Sequence, residues 1–223
     1  PVNYWMHANM LELNGARMSK STGNIINPAE LISGDNDFMT KGFSPSVIRF
    51  FMMQSSYRSV LDLTDAGLLA SEKGYHRLME AIKHLKKVSP AKTSTFNVLD
   101  WQQKCYDALN DDFNTPILIA HLFEAVKYIN ALVEQKETLS AKDLELFTQS
   151  LNAFVFDILG LQNESESQEK GTNKLSGTVE LLIKLRQEAR ANKNFALSDQ
   201  IRDQLLELGI KLNDGKDGTT FSI

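Results

Sequence analysis

The sequence predicts a mainly α-helical protein, in which an antiparallel helix bundle follows a loop-rich N-terminal segment and precedes a small α+β tail. Three observations favour this fold class. Apolar residues recur at spacings of three and four over residues 64–161. Capping residues or prolines precede these stretches, and glycines follow several of them. The sequence shows no alternation of strands and helices of the kind that builds a nucleotide-binding sheet.

Composition limits the classes of function. With 223 residues, of which 42% are hydrophobic, the chain can bury one good core or two small ones. No apolar run approaches the roughly 18 residues that span a bilayer, and no signal peptide is recognisable, so we expect a cytoplasmic protein without a membrane partner. The single cysteine, Cys105, excludes an internal disulfide and a cysteine-rich zinc site. We expect it to be a small buried hydrophobe on a helix.

Two short helices are predicted near the N-terminus. Asn27 caps the first, with proline at the first helical position and Glu30 able to reach back to the cap, and this helix ends near Gly34. Ser44 and the proline after it begin the second, in which Arg49 points away from the apolar face. That apolar face is predicted to contain Val47, Ile48, Phe51 and Met52.

A long helix is predicted to run from the Thr64 cap to about Lys87. Its buried stripe contains Leu68, Tyr75, Leu78, Met79, Ile82 and Leu85. Its exposed side carries Lys73, Arg77, Lys83, Lys86 and Lys87. This is the most basic stretch of the chain, and on residue type alone such a face is slightly more often a solvated surface than a binding site.

Three further helices complete the predicted bundle after a polar linker up to Asn97. The first covers about residues 98–109 and places Trp101, Cys105 and Ala108 on one side. The second begins at Thr115, and its apolar arc contains Ile117, Ala120, Ala125, Ile129, Leu132 and Val133. Ser140 caps the third, which Gly160 ends. Its apolar positions are Leu144, Phe147, Leu151, Phe154 and Ile158. We expect these helices to pack together as an antiparallel bundle.

The C-terminal part begins with residues 162–174, which contain no apolar residue and are predicted to form a flexible linker. A helix over about 177–192 follows, and Asn194 then caps another that Gly209 ends. Residues 210–221 are predicted to form a small hairpin. A tail of this size has little core of its own.

One loop combines charge with flexibility. Residues 12–24 read Glu-Leu-Asn-Gly-Ala-Arg-Met-Ser-Lys-Ser-Thr-Gly-Asn, so that Arg17 and Lys20 stand between Gly15 and Gly23. Glycine permits the backbone to approach a ligand closely, and both cations can bind phosphate oxygens. Further donors are the backbone N–H groups and the hydroxyls of Ser19, Ser21 and Thr22. Met18 is expected to hold the loop against the body of the protein. Taken without its order of residues, such a loop is more often only a solvated turn.

The order of the residues points further. Arg17-Met18-Ser19-Lys20-Ser21, followed after one residue by Gly-Asn, resembles the Lys-Met-Ser-Lys-Ser loop of class I aminoacyl-tRNA synthetases. Several other segments resemble the cysteinyl branch, which the likeness follows along almost the whole chain: Tyr4-Trp5-Met6-His7, Tyr57-Arg58-Ser59, residues 110–116, residues 194–199 and Gly218-Thr219-Thr220-Phe221. One departure is Arg17, which stands where the family has its first loop lysine.

The resemblance implies a division of the chain. The expected parts are 1–27, the end of a catalytic domain with the loop; 28–63, a stem-contact region; 64–161, a helical bundle that binds tRNA; 162–175, a linker; and 176–223, an anticodon-binding domain. Because the sequence starts with Pro1 inside a motif, it is interpreted as a C-terminal piece of a longer protein. The four histidines form no His-x-Gly-His pair, so this piece alone is expected to be inactive.

The resemblance also implies an activity. The parent enzyme would use ATP with Mg²⁺ to activate cysteine and would transfer it to tRNA(Cys). Lys20 and Arg17 would be its catalytic loop residues, and Lys20, Ser19 and Ser21 would bind ATP. No metal site is expected in this chain, since the zinc of the family belongs to the catalytic domain upstream. A monomer is expected.

Recognition of tRNA is expected from two places. By resemblance, the anticodon is met by Arg190, Phe195, Asp199 and Asp214, and these residue types can stack on bases or bond to base edges. Lys83, Lys86 and Lys87 would contact the tRNA backbone. The net charge of −4 argues against indiscriminate RNA binding, so any contact must use local patches. Phe221 fits core packing at least as well as base stacking.

Other functions stay open at this stage. Asp111 and Asp112 resemble a paired-carboxylate or metal loop, but turn and capping chemistry before a helix that starts with proline explains them better. A stand-alone RNA-binding helical module without catalysis is the main alternative. A cysteine ligase with another acceptor would not need residues 176–223, and a purely structural bundle leaves the loop unexplained.

Overall fold

A computed structural model describes residues 2–215 and 218–222, and leaves aside the side chains of 165–176 and 214–218. The chain divides into two compact units, which we call unit 1 (residues 1–162) and unit 2 (residues 163–223). Helices dominate the described residues, which confirms the predicted mainly α fold class with a small α+β tail.

A three-stranded sheet that the sequence analysis missed lies at the start of unit 1. Strand β1 (Leu11–Leu13) pairs antiparallel with β2 (Ala16–Arg17) and parallel with β3 (Leu61–Leu63). The strands are only two or three residues long, too short for an alternating apolar pattern to be recognised. The parallel pair joins segments about 50 residues apart in sequence, and the intervening helices make this crossover.

The two short helices begin and end as their capping residues predict. Helix α1 (Pro28–Ser33) has a complete capping box between Asn27 and Glu30, and Gly34 ends it with a φ of 81°. Helix α2 (Pro45–Met53) is capped by the Ser44 hydroxyl. Its predicted apolar face was partly wrong. The buried hydrophobic residues are Val47, Phe50 and Phe51, whereas Ile48 and Met52 line a cavity beside the loop. Because α2 is apolar over a wide arc, its sequence does not indicate which part of the arc is buried.

Four helices form the bundle of unit 1: α3 (Asp65–Leu85), α4 (Val98–Asn110), α5 (Thr115–Val133) and α6 (Ala141–Asn152). All six residues of the predicted stripe of α3 are buried, and so are the three predicted on α4. Burial raises the pKa of the Cys105 thiol to about 12, so this residue serves as a packed hydrophobe.

The predicted apolar arc of helix α5 is only partly the buried one. Ala125, Ile129 and Leu132 are buried as predicted. Leu118, Ile119 and Leu122 are buried, whereas Ile117 and Val133 are largely exposed. The helix is apolar around most of its circumference, so packing against α3 and α4 selected the inner face. By length and composition alone, α5 is also the one described helix that could cross a membrane, and its buried face packs in the bundle.

A π-helical turn changes the end of the bundle. Helix α6 continues into six π-helical residues, Ala153–Ile158, before Gly160 ends the run with a φ of 63°. Each π turn contains an additional residue, so side chains after it rotate relative to an α-helical pattern. Val155 is therefore buried and Ile158 is 46% exposed, which corrects the predicted stripe at its last position.

Unit 2 contains α7 (Glu164–Ala191), α8 (Phe195–Glu207) and a hairpin of β4 (Lys211–Gly215) and β5 (Gly218–Ser222). The hairpin and the Asn194 cap confirm their predictions. The linker predicted over 162–175 was wrong from Glu164 onward, because the segment is helical; its glutamates, glutamines and lysines are good helix formers although none is apolar. The fully buried hydrophobic core described for this unit is small: Val179, Ile183, Leu205 and Ile210.

Candidate functional site

The loop of residues 12–24 is built on a tight hairpin between β1 and β2. Asn14 and Gly15 form its turn with φ values of 53° and 74°, the left-handed conformations for which an Asn-Gly pair is preferred. The Gly15 N–H donates to the Asp62 carboxylate over 2.8 Å, and Leu13 is buried in the core of unit 1. The base of the loop is therefore fixed to both neighbouring strands.

Asn24 closes the loop on its far side. Its side-chain amide lies 3.3, 3.2 and 3.2 Å from the carbonyl oxygens of Leu13, Ala16 and Arg17, and donates to them. The backbone of Ser19 also donates to the Asn24 carbonyl over 2.8 Å. This positioning residue was not among the predicted site residues, although its place directly after Gly23 in the motif was the signal that could have identified it.

The hydroxyl residues form a small network at the tip. The oxygens of Ser19 and Ser21 are 2.9 Å apart, and the Thr22 hydroxyl donates to the Ser19 carbonyl over 3.2 Å. Ser21 is exposed and Ser19 is half-buried. The structure thus brings the two predicted serines together on one turn.

The two cations lie on the solvent side of this loop. Arg17 and Lys20 are both exposed, and neither forms an ion pair within the described part of the chain. Met18 points the other way and packs against the core of unit 1, as predicted. It borders a cavity of about 600 Å³ together with Ile26 and Leu31. Exposed cations, hydroxyls and a pinned backbone make a surface suited to a multiply charged anion.

The basic face of α3 has the exposure that its predicted role requires. Lys73, Arg77, Lys83, Lys86 and Lys87 are all exposed. Glu72, on the same helix, is held in an ion pair of 2.6 Å with Lys41. The other carboxylate on this stretch is Glu80, which is exposed, so five cations stand against two carboxylates and the face stays cationic.

The Asp111–Asp112 corner is a structural junction. Asp111 caps the C-terminus of α4 and Asn114 caps the N-terminus of α5. Asp112 accepts a 2.6 Å bond from Arg58 and a 2.7 Å bond from Tyr57. Hydrogen bonds from Arg58 and then from Tyr57 lower the pKa of Asp112 below its ordinary value. No group of described residues here could hold a metal ion, and the corner joins two segments that the resemblance had singled out separately.

The predicted base-reading residues surround the turn between α7 and α8. Arg190 lies in the last turn of α7, and Phe195 is the first residue of α8 with 61% of its surface exposed. The turn between them is closed by a 2.8 Å backbone bond from Asn194 to Ala189. Asp199 is exposed one helical turn after Phe195, so both share one face of α8.

Two other residues of the tail are placed differently. The side chain of Asp214 lies outside the described residues, although its backbone pairs with Thr219 in the hairpin. Phe221 is partly buried against the small core of unit 2, which supports its interpretation as a packing residue.

Three family models match this chain in succession. Residues 1–73 match the catalytic domain of class I (C) tRNA synthetases, residues 104–163 match the DALR domain, and residues 172–221 match the anticodon-binding domain of cysteinyl-tRNA ligase. The first of these models relates the N-terminal third of the chain to the class I aminoacyl-tRNA synthetases.

Relatives narrow the family. The chain is 45% identical over 222 residues to the cysteine–tRNA ligase of Bacteroides fragilis and 42% identical over 222 residues to that of Parabacteroides distasonis, and both alignments include the whole chain. It is 40% identical over 226 residues to the enzyme of Chlorobaculum tepidum. The chain therefore belongs to the cysteinyl-tRNA synthetase family, which confirms the resemblance. It spans about 45% of the length of the first two relatives and 44% of the third.

Proposed function

We propose that this chain supplies the ATP-stabilising loop and the tRNA-recognition surfaces of a cysteine–tRNA ligase, which activates cysteine with ATP and transfers it to tRNA(Cys). The observation that carries the proposal is the pair of exposed cations, Arg17 and Lys20, on a loop fixed by Asn24 and Met18. A cytoplasmic location and a monomeric state are part of the same proposal.

The loop acts on ATP through charge. In the reaction, the carboxylate of cysteine attacks the α-phosphate of ATP and pyrophosphate leaves. Lys20, assisted by Arg17 and by Ser19 and Ser21, stabilises the negative charge that develops on the triphosphate. The base of the hairpin is held by hydrogen bonds from the Gly15 N–H to the Asp62 carboxylate and from the Asn24 side chain to the Leu13 carbonyl. Since the tip is exposed, it can close on the nucleotide without moving β1.

We expect the metal ions of the reaction to be bound by ATP or by other parts of the enzyme, and not by the residues of this loop. The tip of the loop presents the cations Arg17 and Lys20, and no cluster of described carboxylates, histidines or cysteines could hold a metal. Mg²⁺ would accompany the phosphates of ATP, where it neutralises charge. The zinc of the family would be bound by the part of its relatives that this chain does not cover.

Recognition of tRNA divides between the two units. The lysines at 83, 86 and 87 would contact phosphates and supply affinity without sequence information. Arg190, Phe195, Asp199 and Asp214 would read the anticodon, Phe195 by stacking on a base and the charged residues by bonds to base edges. The match of residues 1–73 to a catalytic domain favours this function over a stand-alone RNA-binding module.

Equilibrium binding across a salt series tests the proposal. The chain is titrated with tRNA carrying the anticodon GCA and with the same tRNA carrying a replaced anticodon. We expect tighter binding to the first, by about 10-fold or more, because each lost base contact costs roughly 1–3 kcal/mol. Equal binding to both would refute base reading by unit 2.

Charge reversal tests the phosphate contacts separately. Lys83→Glu combined with Lys86→Glu should flatten the dependence of log K on log salt by roughly two contacts. Lys142→Glu, an exposed lysine on α6, is the matched control and should leave the slope unchanged. An unchanged slope in the double variant would remove α3 from the tRNA interface.

A further inference from the structure

A charged residue occupies a core position of unit 2. Arg186 is 1% exposed, and it lies on α7 in the stripe that also contains Val179, Ile183 and Ala189 at spacings of four, three and three. These three residues are buried and apolar, as the inner face of a helix requires. The arginine is thus placed where the helix pattern would put a leucine or a methionine.

Burial of apolar surface does not explain this choice. Removing a guanidinium from water is expensive, and replacing a buried ion by a well-packed apolar side chain is often neutral or stabilising. The buried hydrophobic residues described for unit 2 are few, so a further apolar side chain would help this core. They are Val179, Ile183, Ala189, Leu205 and Ile210. A buried charge in so small a core is better explained by a requirement for one specific packing arrangement.

The position of Arg186 relates it to the proposed base readers. It precedes Arg190 by four residues on α7, and α8, which packs against α7, carries a second buried polar residue, Ser198, next to Asp199. Each buried polar residue is therefore close to an exposed residue that is proposed to contact the anticodon. Arg186 lies one helical turn before Arg190, and Ser198 is adjacent to Asp199 in sequence. The relative positions of Arg190 and Asp199 depend on how α7 and α8 pack.

We propose that Arg186 is a positioning residue for anticodon recognition: its buried guanidinium fixes the packing of α7 on α8 and thereby holds Arg190 and Asp199 in register for one RNA sequence. Arg186 itself does not touch RNA. The inference rests on the function proposed above, since it assigns a role within the same recognition site. It concerns the specificity of binding and not the affinity for phosphates.

Three variants test this inference: Arg186→Met, Arg186→Lys and, as a control on the same helix, the exposed Lys184→Met. For each full chain, the ratio of dissociation constants is measured for tRNA with the GCA anticodon and tRNA with a replaced anticodon. Hydrogen exchange of α7 and α8 reports whether unit 2 is folded. We expect Arg186→Met to stay folded and to reduce the ratio about 10-fold, the scale of one lost base contact.

Each result of these measurements either supports or contradicts the role of Arg186. Binding to the replaced anticodon should be unchanged in Arg186→Met, the ratio in Arg186→Lys should be intermediate because the charge is kept and the planar fork is lost, and Lys184→Met should behave as wild type. A folded Arg186→Met with the full ratio would overturn the inference, and so would unfolding of unit 2, since Arg186 would then serve stability. A wild-type ratio of one would instead refute the proposed function.

Discussion

The two units place their functional residues by different means. In unit 1, a single large core extends from Leu13 to Leu161. The loop is joined to it through Met18 and through hydrogen bonds from the Asn24 side chain to backbone carbonyls. In unit 2, the described core has four fully buried hydrophobic residues, and the functional residues lie on the ends of two helices. In unit 1 many core contacts hold the functional site in place, whereas in unit 2 the positions of the functional residues depend on a few contacts.

This difference has consequences for substitutions. A change at the loop of unit 1 should alter chemistry while the fold persists, because the many core contacts are untouched. Truncation of a hydrophobic residue in the core of unit 2 should alter both fold and recognition, because the core described for this unit is small. The following predictions test the contrast.

The largest effect is expected from core truncation in the two units. Phe147→Ala should lower the free energy of unfolding of unit 1 by about 3–5 kcal/mol, because Phe147 is fully buried and contacts Trp101 and Phe96 edge-on. Leu205→Ala should cost unit 2 about 2–5 kcal/mol. Hydrogen exchange measured for each unit separately should show unit 2 of Leu205→Ala exchanging as if unfolded and unit 1 of Phe147→Ala still protected.

The contrast would be contradicted if both variants kept equal protection in their own units. Leu206→Ala is the matched control for Leu205→Ala, since Leu206 is largely exposed on the same helix. Its exchange pattern should equal that of wild type.

The next effect concerns the loop. In a protein that carries this chain together with the remaining part found in its relatives, Lys20→Ala should slow cysteine-dependent pyrophosphate exchange about 10²-fold or more, the scale expected when a transition-state donor is lost. The melting temperature should not change, since Lys20 is exposed. Lys104→Ala, another exposed lysine, is the control and should retain full activity. An unaffected exchange rate in Lys20→Ala would remove this residue from the chemistry.

A smaller effect is expected from the helix caps. Asn194→Ala and Asn27→Ala each remove a side chain that accepts backbone N–H bonds at the start of a helix. Each should cost about 1 kcal/mol. In unit 2 this loss should also raise hydrogen exchange throughout α8, whereas in unit 1 it should stay local to α1. If the increase in hydrogen exchange were equally extensive in both units, the contrast between the large core of unit 1 and the small core of unit 2 would be wrong.

The smallest effect is expected at the Asp112 corner. Because hydrogen bonds lower the pKa of Asp112 in the folded state, its contribution to stability is present above the unfolded pKa and is lost as the pH falls through the folded pKa. Arg58 and Asp112 are 67% and 49% exposed, so solvent screens the pair and the change in stability is small. Titration of the carboxyl by NMR should show its pKa rising toward the ordinary value in Arg58→Ala.

Asp143 is the internal control for that titration. Hydrogen bonds from Ser94 and Ser140 lower its pKa, and Arg58 takes no part in them. Its titration should be the same in wild type and in Arg58→Ala. An Asp112 pKa that stayed low in the variant would assign the effect to Tyr57 alone.

Much of the fold follows from local chemistry. Asn27, Ser44, Thr64, Ser140 and Asn194 each begin a helix as predicted, because a capping bond joins residues only two or three positions apart. The stripe of α3 was predictable because its polar and apolar sides are distinct. The buried face of α5 was predicted only in part, because a helix that is apolar around most of its circumference does not indicate which side its neighbours will cover.

The loop shows the same division. The order of residues from Arg17 to Asn24 was enough to predict an anion-binding loop and its family, since the required residue types are adjacent in sequence. The tertiary structure alone decided that β1 pairs with β3, that Asn24 bonds to three carbonyls and that Asp112 meets Arg58. Those contacts join residues up to 54 positions apart, and local sequence patterns do not predict contacts over such separations. They form only when the packed core brings their elements together.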